Sequence, residues 1–416
     1  MLVNHIKRIL TSIDSSYLLS QDYKIFDKFK MTDNHLLLVI WILLGFSSAS
    51  LQAMPDMHSA GKSVEPFSVN DRSVINPKQT QSLAAILQQE SDARVILVGE
   101  QHTRMDHHQI QLETMRYLHE QDIDIAIGVE WFQQPFQSHL NDFLAGRITE
   151  KQLLHKTEYF DRWVYDYRLY QPILLYAREH GIPVVALNAA RELSKAVTKK
   201  SFQDLPDELQ QQLPSSFDWS DKAYEKRLEK VFKMHPNFSG TFEGFLRGQL
   251  LWDESMAESA ANYLKKHPEK RMLVFAGTGH IEYGSGIPNR IKRRIEEKVI
   301  SILPSESPAG VTPNKADYLV FSQTDRLPQV GLIGAFLNTK GDAVVIKDKT
   351  ETGAISETDI EAGAVIVGID DVKVATLADF KLEMMNRSPG DEIQLHYRDS
   401  IDDSSDDVKT VKIKLR

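Results

Sequence analysis

The sequence contains no cysteine, which excludes disulfides, cysteine-ligated zinc, iron–sulfur clusters and a lipid-modified N-terminal cysteine. Positive charge is also scarce, since 49 Lys and Arg residues stand against 58 Asp and Glu residues, a formal net charge of −9. Because phosphate neutralisation dominates nucleic-acid affinity, we expect no nucleic-acid binding from an acidic chain without a dense Lys/Arg block. The motifs of phosphate-binding loops, serine-hydrolase elbows and HExxH zinc proteases are absent too. Phosphate-loop, serine-hydrolase, zinc-protease and thiol-enzyme functions are therefore disfavoured.

Long apolar runs are limited to one, over residues 36–46. As a helix, its 11 residues would span only about 16 Å, against the ~30 Å of a bilayer core. That length is typical of the apolar part of a secretory signal, and small residues follow it as a signal peptidase requires. We therefore expect a signal region over residues 1–53, with Met31 as an alternative start, and a polar tail over 54–80. The expected location is exported, either periplasmic or associated with the outer membrane.

Short β-branched runs alternate with longer helical segments from Arg94 onwards. Six of these runs are nearly continuous in apolar residues, as strands covered on both faces should be. They cover residues 95–98, 123–129, 183–187, 272–276, 299–303 and 318–321. The strand–helix–strand spacing predicts an α/β domain over residues 81–325, with a mainly parallel sheet flanked by helices and a helical insertion near 203–268.

The composition changes after Pro328, where glycines and short strand patterns dominate. A single helical pattern intervenes at residues 377–385. This change predicts a separate, small β-rich domain over residues 329–416. The aspartate-rich stretch 399–407 is expected to be a solvated loop between its last two strands.

Polar residues follow four of the predicted strands, at the point where each strand ends. Because the carboxyl ends of parallel strands share one edge of a sheet, and ligands bind there in open α/β sheets, these residues form a candidate site. The candidate cluster consists of Glu100, His102, His107, His108, Glu130 and His280. Imidazoles and carboxylates suit zinc, iron or manganese. The alternative is structural: each histidine is then a hydrogen-bonded core residue, and Glu130 is the buried partner of Arg191.

Aromatic residues are dense between Tyr159 and Tyr176. Tyrosine can ligate ferric haem, and aromatic rings pack against a porphyrin. The candidate tyrosines are Tyr159, Tyr165, Tyr167 and Tyr170. The alternative is a helical surface that simply packs on the sheet.

Six segments in order carry a family resemblance: VILVGEQHTRMDHH, GVEWF, YDYRLYQPILLYA, IPVVALNAAREL, GQLLWDESMA and VFAGTGHIEYGSGIPNR. Together they resemble the ChaN-like haem-binding uptake family, in a superfamily with Tiki proteins, TraB proteins and erythromycin esterases. The resemblance covers about residues 95–321. It implies a bacterial haem- or iron-handling protein that binds haem in dimeric arrangements, hence a homodimer, although the lipid-anchoring cysteine of many relatives is missing. The implied haem-binding residues are His102, His107, His108, Tyr159, Tyr165, Tyr167, Tyr170, Arg191 and His280.

The same superfamily implies an alternative function, hydrolysis. Tiki-like relatives use two G-x-x-H motifs and a glutamate for metal-dependent peptide cleavage. Here the catalytic positions are matched by Glu100, His102, Glu130 and His280, and the ligands of a zinc or manganese ion by Glu100, His102 and His280. In the esterase relatives, a comparable histidine and glutamate activate water. A scaffold without catalytic chemistry is the third alternative.

The C-terminal segments GLIGAFL and IEAGAVIVGIDDVKVATLADFKLEM are similar to those of a PDZ domain, although Ala364 and Asp371 depart from its pattern. The resemblance implies that a protein C-terminus adds as a strand beside residues 333–337, with its carboxylate held by loop amides. The implied peptide-binding residues are Leu332, Ile333, Gly334, Ala335 and Phe336. The alternative is a domain used for intramolecular docking or dimerisation.

Overall fold

The computed structural model describes residues 77–416, except 235–239, 308–310, 342 and 402–406. The predicted signal region, the alternative start at Met31 and most of the predicted tail lie outside the described residues, as does part of the aspartate-rich stretch. No helix within the described ranges is both long and apolar enough to cross a membrane.

The N-terminal domain is built on a six-stranded sheet with the order β3-β2-β4-β1-β5-β6. All neighbouring strands in it are parallel. The strands are β1 (Val95–Glu100), β2 (Ile125–Gln133), β3 (Val184–Asn188), β4 (Arg271–Gly277), β5 (Val299–Ser305) and β6 (Tyr318–Phe321). The six predicted strands and the parallel α/β fold are thus confirmed.

Helices cover both faces of this sheet. They are α1 (Leu83–Gln89), α2 (Met105–Glu120), α3 (Gln137–Leu144), α4 (Glu150–Lys156), α5 (Tyr159–Arg162), α6 (Gln171–Glu179), α7 (Arg191–Lys199), α8 (Asp207–Gln210), α9 (Lys222–Lys233), α10 (Phe242–Lys266) and α11 (Ile287–Lys292). Alternate residues of β1 enter two different apolar clusters: Ile96 packs with residues of α2, and Leu97 packs with residues of α10. The continuous apolar run of a central strand follows from this double coverage.

The C-terminal domain is an antiparallel sheet with its own apolar cluster. Its strands are β7 (Ala335–Lys340), β8 (Ala343–Lys349), β9 (Val365–Ile369), β10 (Val372–Lys373), β11 (Glu392–Arg398) and β12 (Lys409–Lys414). The sheet order is β12-β11-β9-β8-β7, with β10 paired to β9, so β7 is an edge strand. One helix, α12 (Leu377–Met384), begins at a capping box formed by Thr376 and Asp379.

The two domains touch through α12. Asp379 accepts hydrogen bonds from Lys151, at 2.8 Å, and from His155, at 3.0 Å, both on α4. Ala378, Leu382 and Met385 pack against the apolar cluster of the N-terminal domain. No residue of α12 is exposed, because one side faces its own sheet and the other side faces α4 and α5.

Candidate functional site

Glu100 and Gly277 are register partners at the carboxyl ends of β1 and β4. Glu100 is 1% exposed, and its carboxylate accepts from His102 Nδ1 at 2.7 Å and from Gln111 Nε2 at 2.8 Å. Burial alone would raise the pKa of Glu100, but the imidazole of His108 and the bond to His102 hold it well below its usual range. An ionised carboxylate only accepts hydrogen bonds, so His102 donates through Nδ1 and a neutral His102 ring carries its lone pair on Nε2.

Nε2 of His102 lies over Gly277, where the missing side chain leaves room. A Cβ added at Gly277 would stand 3.2 Å from His102 Nε2 and 3.6 Å from Glu130 Oε2. The backbone N–H of Gly277 donates to Glu130 Oε2 at 2.7 Å. An imidazole nitrogen and a carboxylate therefore face one small space at the sheet edge, as the strand-end positions predicted.

His280 is engaged at both ring nitrogens. Nδ1 lies 2.7 Å from Asp253 Oδ1, and Nε2 lies 3.5 Å from Glu130 Oε1. Burial alone would lower the pKa of His280, but the two carboxylates raise it to about 9. The two carboxylates thus favour the protonated ring of His280, and both of its ring nitrogens are directed at them.

The predicted metal ligands do not come together as a ligand set. Within the described ranges, no group of three or more His, Asp or Glu side chains is arranged to hold a metal ion. The carboxylate of Glu100 is occupied by its neighbours, and His280 points its ring nitrogens at Asp253 and Glu130.

The alternative in which Glu130 is the buried partner of Arg191 does not hold in the structure. Glu130 is satisfied by Gly277 and His280, while the guanidinium of Arg191 donates to the backbone oxygen of Asp161 at 2.9 Å. Asn188, at the end of β3, donates to the backbone oxygen of Glu130 at 3.1 Å.

His107 and His108 lie behind Glu100, in the wall of the site. His107 Nδ1 accepts from the backbone N–H of Gln101 at 2.9 Å, and burial lowers the pKa of His107 to about 4. His108 Nδ1 lies 3.1 Å from Glu100 Oε2, and this carboxylate raises the pKa of His108 against the effect of burial. Both side chains thus hold the site's framework together rather than facing its opening.

Of the four candidate tyrosines, Tyr165 contacts the imidazole of His102, with ring centroids 4.5 Å apart. Tyr170 instead donates to Glu100 Oε1 at 3.3 Å and to the backbone oxygen of His102 at 3.5 Å. The ring of Trp163 lies 5.0 Å from the imidazole and 5.4 Å from the ring of Tyr165. Tyr159, Tyr167 and Tyr170 are fully buried among other rings, and burial raises the pKa of each well above its usual value. A phenol in such a core is a poor source of the phenolate that ferric iron prefers.

Sequence reasoning left three residues out of the site. Trp163 was one of several aromatics with no distinguishing pattern. Asp253 holds His280, and Tyr224 in turn donates to Asp253 at 2.7 Å. The one available signal was the charged pair Asp253-Glu254 inside an otherwise apolar stretch of α10.

Comparisons with known proteins identify both domains. A family model described as "Haem-binding uptake, Tiki superfamily, ChaN" matches residues 86–291. The N-terminal domain belongs to the ChaN-like haem-binding family. A second model, for the PDZ domain, matches residues 331–415.

The chain spans about a third of the curated relative that it matches. That relative, "Protein RETICULATA-RELATED 5, chloroplastic" from Arabidopsis thaliana, is 25% identical over 231 residues, which are 50% of this chain and 30% of the relative. A solved structure titled "Cofacial heme binding to ChaN of Campylobacter jejuni" is 17% identical, with a TM-score of 0.46, over 57% of this chain and 91% of that chain. The PDZ domain of a carboxy-terminal protease from Vibrio cholerae, in complex with peptide, is 18% identical, with a TM-score of 0.18, over 21% of this chain and 93% of that chain.

The PDZ domain offers the edge of β7 to a partner. Phe336 and Leu332 are 43% and 53% exposed. Two of the predicted peptide-binding residues precede the strand and support its loop. Ile333 is buried in the domain's core, and Gly334 packs on Gly353 with a φ of 75°. The backbone of Leu332 already pairs with that of Arg416 in both directions. The strand itself begins at Ala335, two residues later than the sequence predicted.

Proposed function

We propose that the ChaN-like domain binds haem beside His102 and that the PDZ domain binds the C-terminus of a partner protein. The observation that carries the first part is the arrangement of His102: Nδ1 is bound to the buried Glu100 carboxylate, and Nε2 lies over Gly277. Histidines that ligate metals usually donate their other ring nitrogen to a carboxylate or carbonyl, which fixes the tautomer and strengthens the ligand.

The surrounding residues fit haem. The rings of Trp163 and Tyr165 supply aromatic surface beside His102, and aromatic rings pack well against a porphyrin. Arg191, at the start of α7, supplies a cation for a propionate. Bound haem would supply the iron chemistry, and His102 Nε2 would be its donor nitrogen, oriented through Glu100 and covered by the rings of Trp163 and Tyr165.

Haemin titration of the full chain, read by Soret absorbance, tests this proposal. We expect His102→Ala to weaken haemin binding by at least about tenfold, the loss of one metal–ligand interaction, and to shift the Soret maximum. His139→Ala, on α3, is the matched control and should bind as the native chain does. An unchanged affinity and spectrum for His102→Ala would overturn the role of His102.

Hydrolysis is a second candidate, favoured by a separate observation. His102 Nε2 and Glu130 Oε2 face the same space over Gly277, where a water could be held between a base and a carboxylate. Ester and peptide turnover by the native chain, with and without added zinc or manganese, tests this candidate. Turnover that persists at the native rate in His102→Ala would exclude His102 as the base.

We also propose that the protein is exported, that it takes part in iron handling and that haem joins two chains in a dimer. Export is supported by the apolar run at residues 36–46 and the small residues after it. N-terminal sequencing of mature protein should begin between Ser50 and Met57, and an intact Met1 or Met31 would contradict export. Sedimentation with and without haemin would show whether haem brings two chains together.

A further inference from the structure

The aromatic rings over His102 belong to one short segment, residues 158–166, which we call the aromatic gate. Trp163 and Tyr165 both touch the imidazole, with centroid distances of 5.0 and 4.5 Å. At these distances the three rings are in direct contact, so a flat ligand reaches His102 only if the gate moves.

The gate is strained at its centre. Val164 has a φ of 63°, and the N–H of Tyr165 donates to the carbonyl of Trp163 at 2.9 Å, which closes a three-residue turn around Val164. A β-branched residue in the left-handed region is a genuine outlier, and three-residue turns with positive φ are rare and strained. Glu158, at the other end of α5, is also left-handed, with a φ of 50°. Such conformations persist only where surrounding contacts hold them.

Some of those contacts come from the ChaN-like domain itself. Arg162 donates to both carboxylate oxygens of Glu192, at 3.1 and 3.0 Å, and to Gln133 Oε1 at 2.9 Å. These bonds fasten the end of α5 to α7 and β2.

Arg191 and the neighbouring aromatic rings also hold the gate from within the ChaN-like domain, and the PDZ domain adds a contact of its own. The ammonium group of Lys381, on α12, lies 5.1 Å from the centroid of the Phe160 ring in the gate. Burial lowers the pKa of Lys381, and the carboxylates of Asp161 and Asp166, also in the gate, oppose that effect. On the linker side, Arg168 donates to the backbone oxygen of Pro328 at 3.0 Å.

We propose that the PDZ helix α12 holds the aromatic gate closed over His102, so that movement of α12 controls access to this histidine. The ring contacts are continuous from one domain to the other: Phe160 packs on Tyr159 at 5.3 Å, Tyr159 on Tyr170 at 6.4 Å, Tyr170 on Trp163 at 6.1 Å, and Trp163 on His102. A peptide that adds to β7 and displaces α12 would thereby open the site. The inference rests on the proposed role of His102 as the ligand-facing residue.

The test measures access to His102 without any haem. The full chain is treated with diethyl pyrocarbonate, and acylation of His102 is followed by mass spectrometry, with the surface histidine His267 as internal reference. We expect Lys381→Met to raise the His102 rate about threefold, since one cation–aromatic contact is lost, and to leave the His267 rate unchanged. Lys412→Met, on the far strand β12, is the matched control and should leave both rates as in the native chain.

Arg162→Gln loosens the gate from within the ChaN-like domain, so it tests the gate independently of the PDZ domain. A raised His102 rate in Arg162→Gln together with a native rate in Lys381→Met would overturn the role of α12. Native rates in both variants would overturn the gate itself. Lys151→Met, which loosens α12 through Asp379, serves in place of Lys381→Met if that variant does not fold. A failure of haemin binding leaves all these rates unaffected, so the two proposals fail separately.

Discussion

Glu130 and Gly277 are joined by a 2.7 Å hydrogen bond from the glycine N–H to the carboxylate, which ties the end of β2 to the end of β4. The same glycine leaves open the space into which His102 Nε2 and Glu130 Oε2 face. One residue thus fixes the carboxylate through its backbone and admits the imidazole through its missing side chain.

Gly277→Ala should therefore impair the site while leaving the core intact. The new methyl group would stand 3.1 Å from His102 Cε1, tighter than ordinary contact, and the φ of −56° at Gly277 suits alanine. We expect haemin affinity to fall several-fold, measured by Soret titration. Gly279→Ala is the matched control, because nothing lies within 4 Å of its added Cβ. Equal affinities in the two variants would contradict the assignment of this space.

Glu100→Gln should cost far more stability than His102→Ala. Glu100 is a buried carboxylate that accepts from His102 and Gln111 and faces His108, so removing its charge leaves buried donors unpaired. Breaking a buried ion pair costs about 3–5 kcal/mol. The loss of His102 should cost less than ~2 kcal/mol, because its side chain is 11% exposed and Glu100 keeps Gln111 and His108 as partners. Denaturant unfolding of both variants measures the difference. Equal losses would mean that His102 is a structural residue.

Stability should fall as pH rises from about 6.5 to about 9, because of His280. Its pKa in the folded chain is about 9, against 6.5 for an ordinary histidine. The proton on His280 therefore stabilises the fold fully below about pH 6.5, and this contribution, up to about 3 kcal/mol, is lost as pH rises through 9. Thermal midpoints across this range measure the slope. His280→Asn should reduce the slope, since His108, whose pKa is also raised, contributes the rest. A native midpoint independent of pH would contradict the raised pKa of His280.

The strands were predictable because burial on both faces makes a sequence continuously apolar. Ile96 and Leu97 show this directly, since they enter opposite clusters. The ends of the predicted strands also correctly placed Glu100, His102 and Glu130 at one edge of the sheet. The helix Glu150–Lys156 was missed although its capping box, Thr149 with Gln152, is visible in the sequence.

The rest of the site depends on contacts between residues distant in the sequence. Asp253, 27 positions before His280, supplies its hydrogen bond, and no local pattern points to that pairing. Tyr165 and Tyr170 look alike in the sequence, and both are buried, yet the ring of Tyr165 packs on the imidazole of His102 while the ring of Tyr170 packs on His108. The left-handed conformation of Val164 could not be predicted either, because β-branched residues rarely adopt a positive φ.

The PDZ domain should fold alone, but with lower stability than in the full chain. Residues 329–416 contain a complete apolar cluster that includes Ile346, Ile369 and Leu395, and Asp379 still caps α12 within the fragment. The fragment lacks the apolar residues of the ChaN-like domain against which Leu382 packs in the full chain. We expect a cooperative thermal transition and a dispersed NMR spectrum for the fragment.

Leu382→Gln distinguishes the fold of the PDZ domain from its docking. In the isolated fragment Leu382 is at the surface, so the substitution should change stability by less than about 0.5 kcal/mol. In the full chain the same glutamine is placed against an apolar cluster, so docking should weaken and the His102 acylation rate should rise with it. Thermal melts of both forms, with acylation measured on the full chain, test both expectations. A disordered fragment, or a Leu382→Gln chain with a native melt and native acylation, would show that the two domains are not independent units joined at α12.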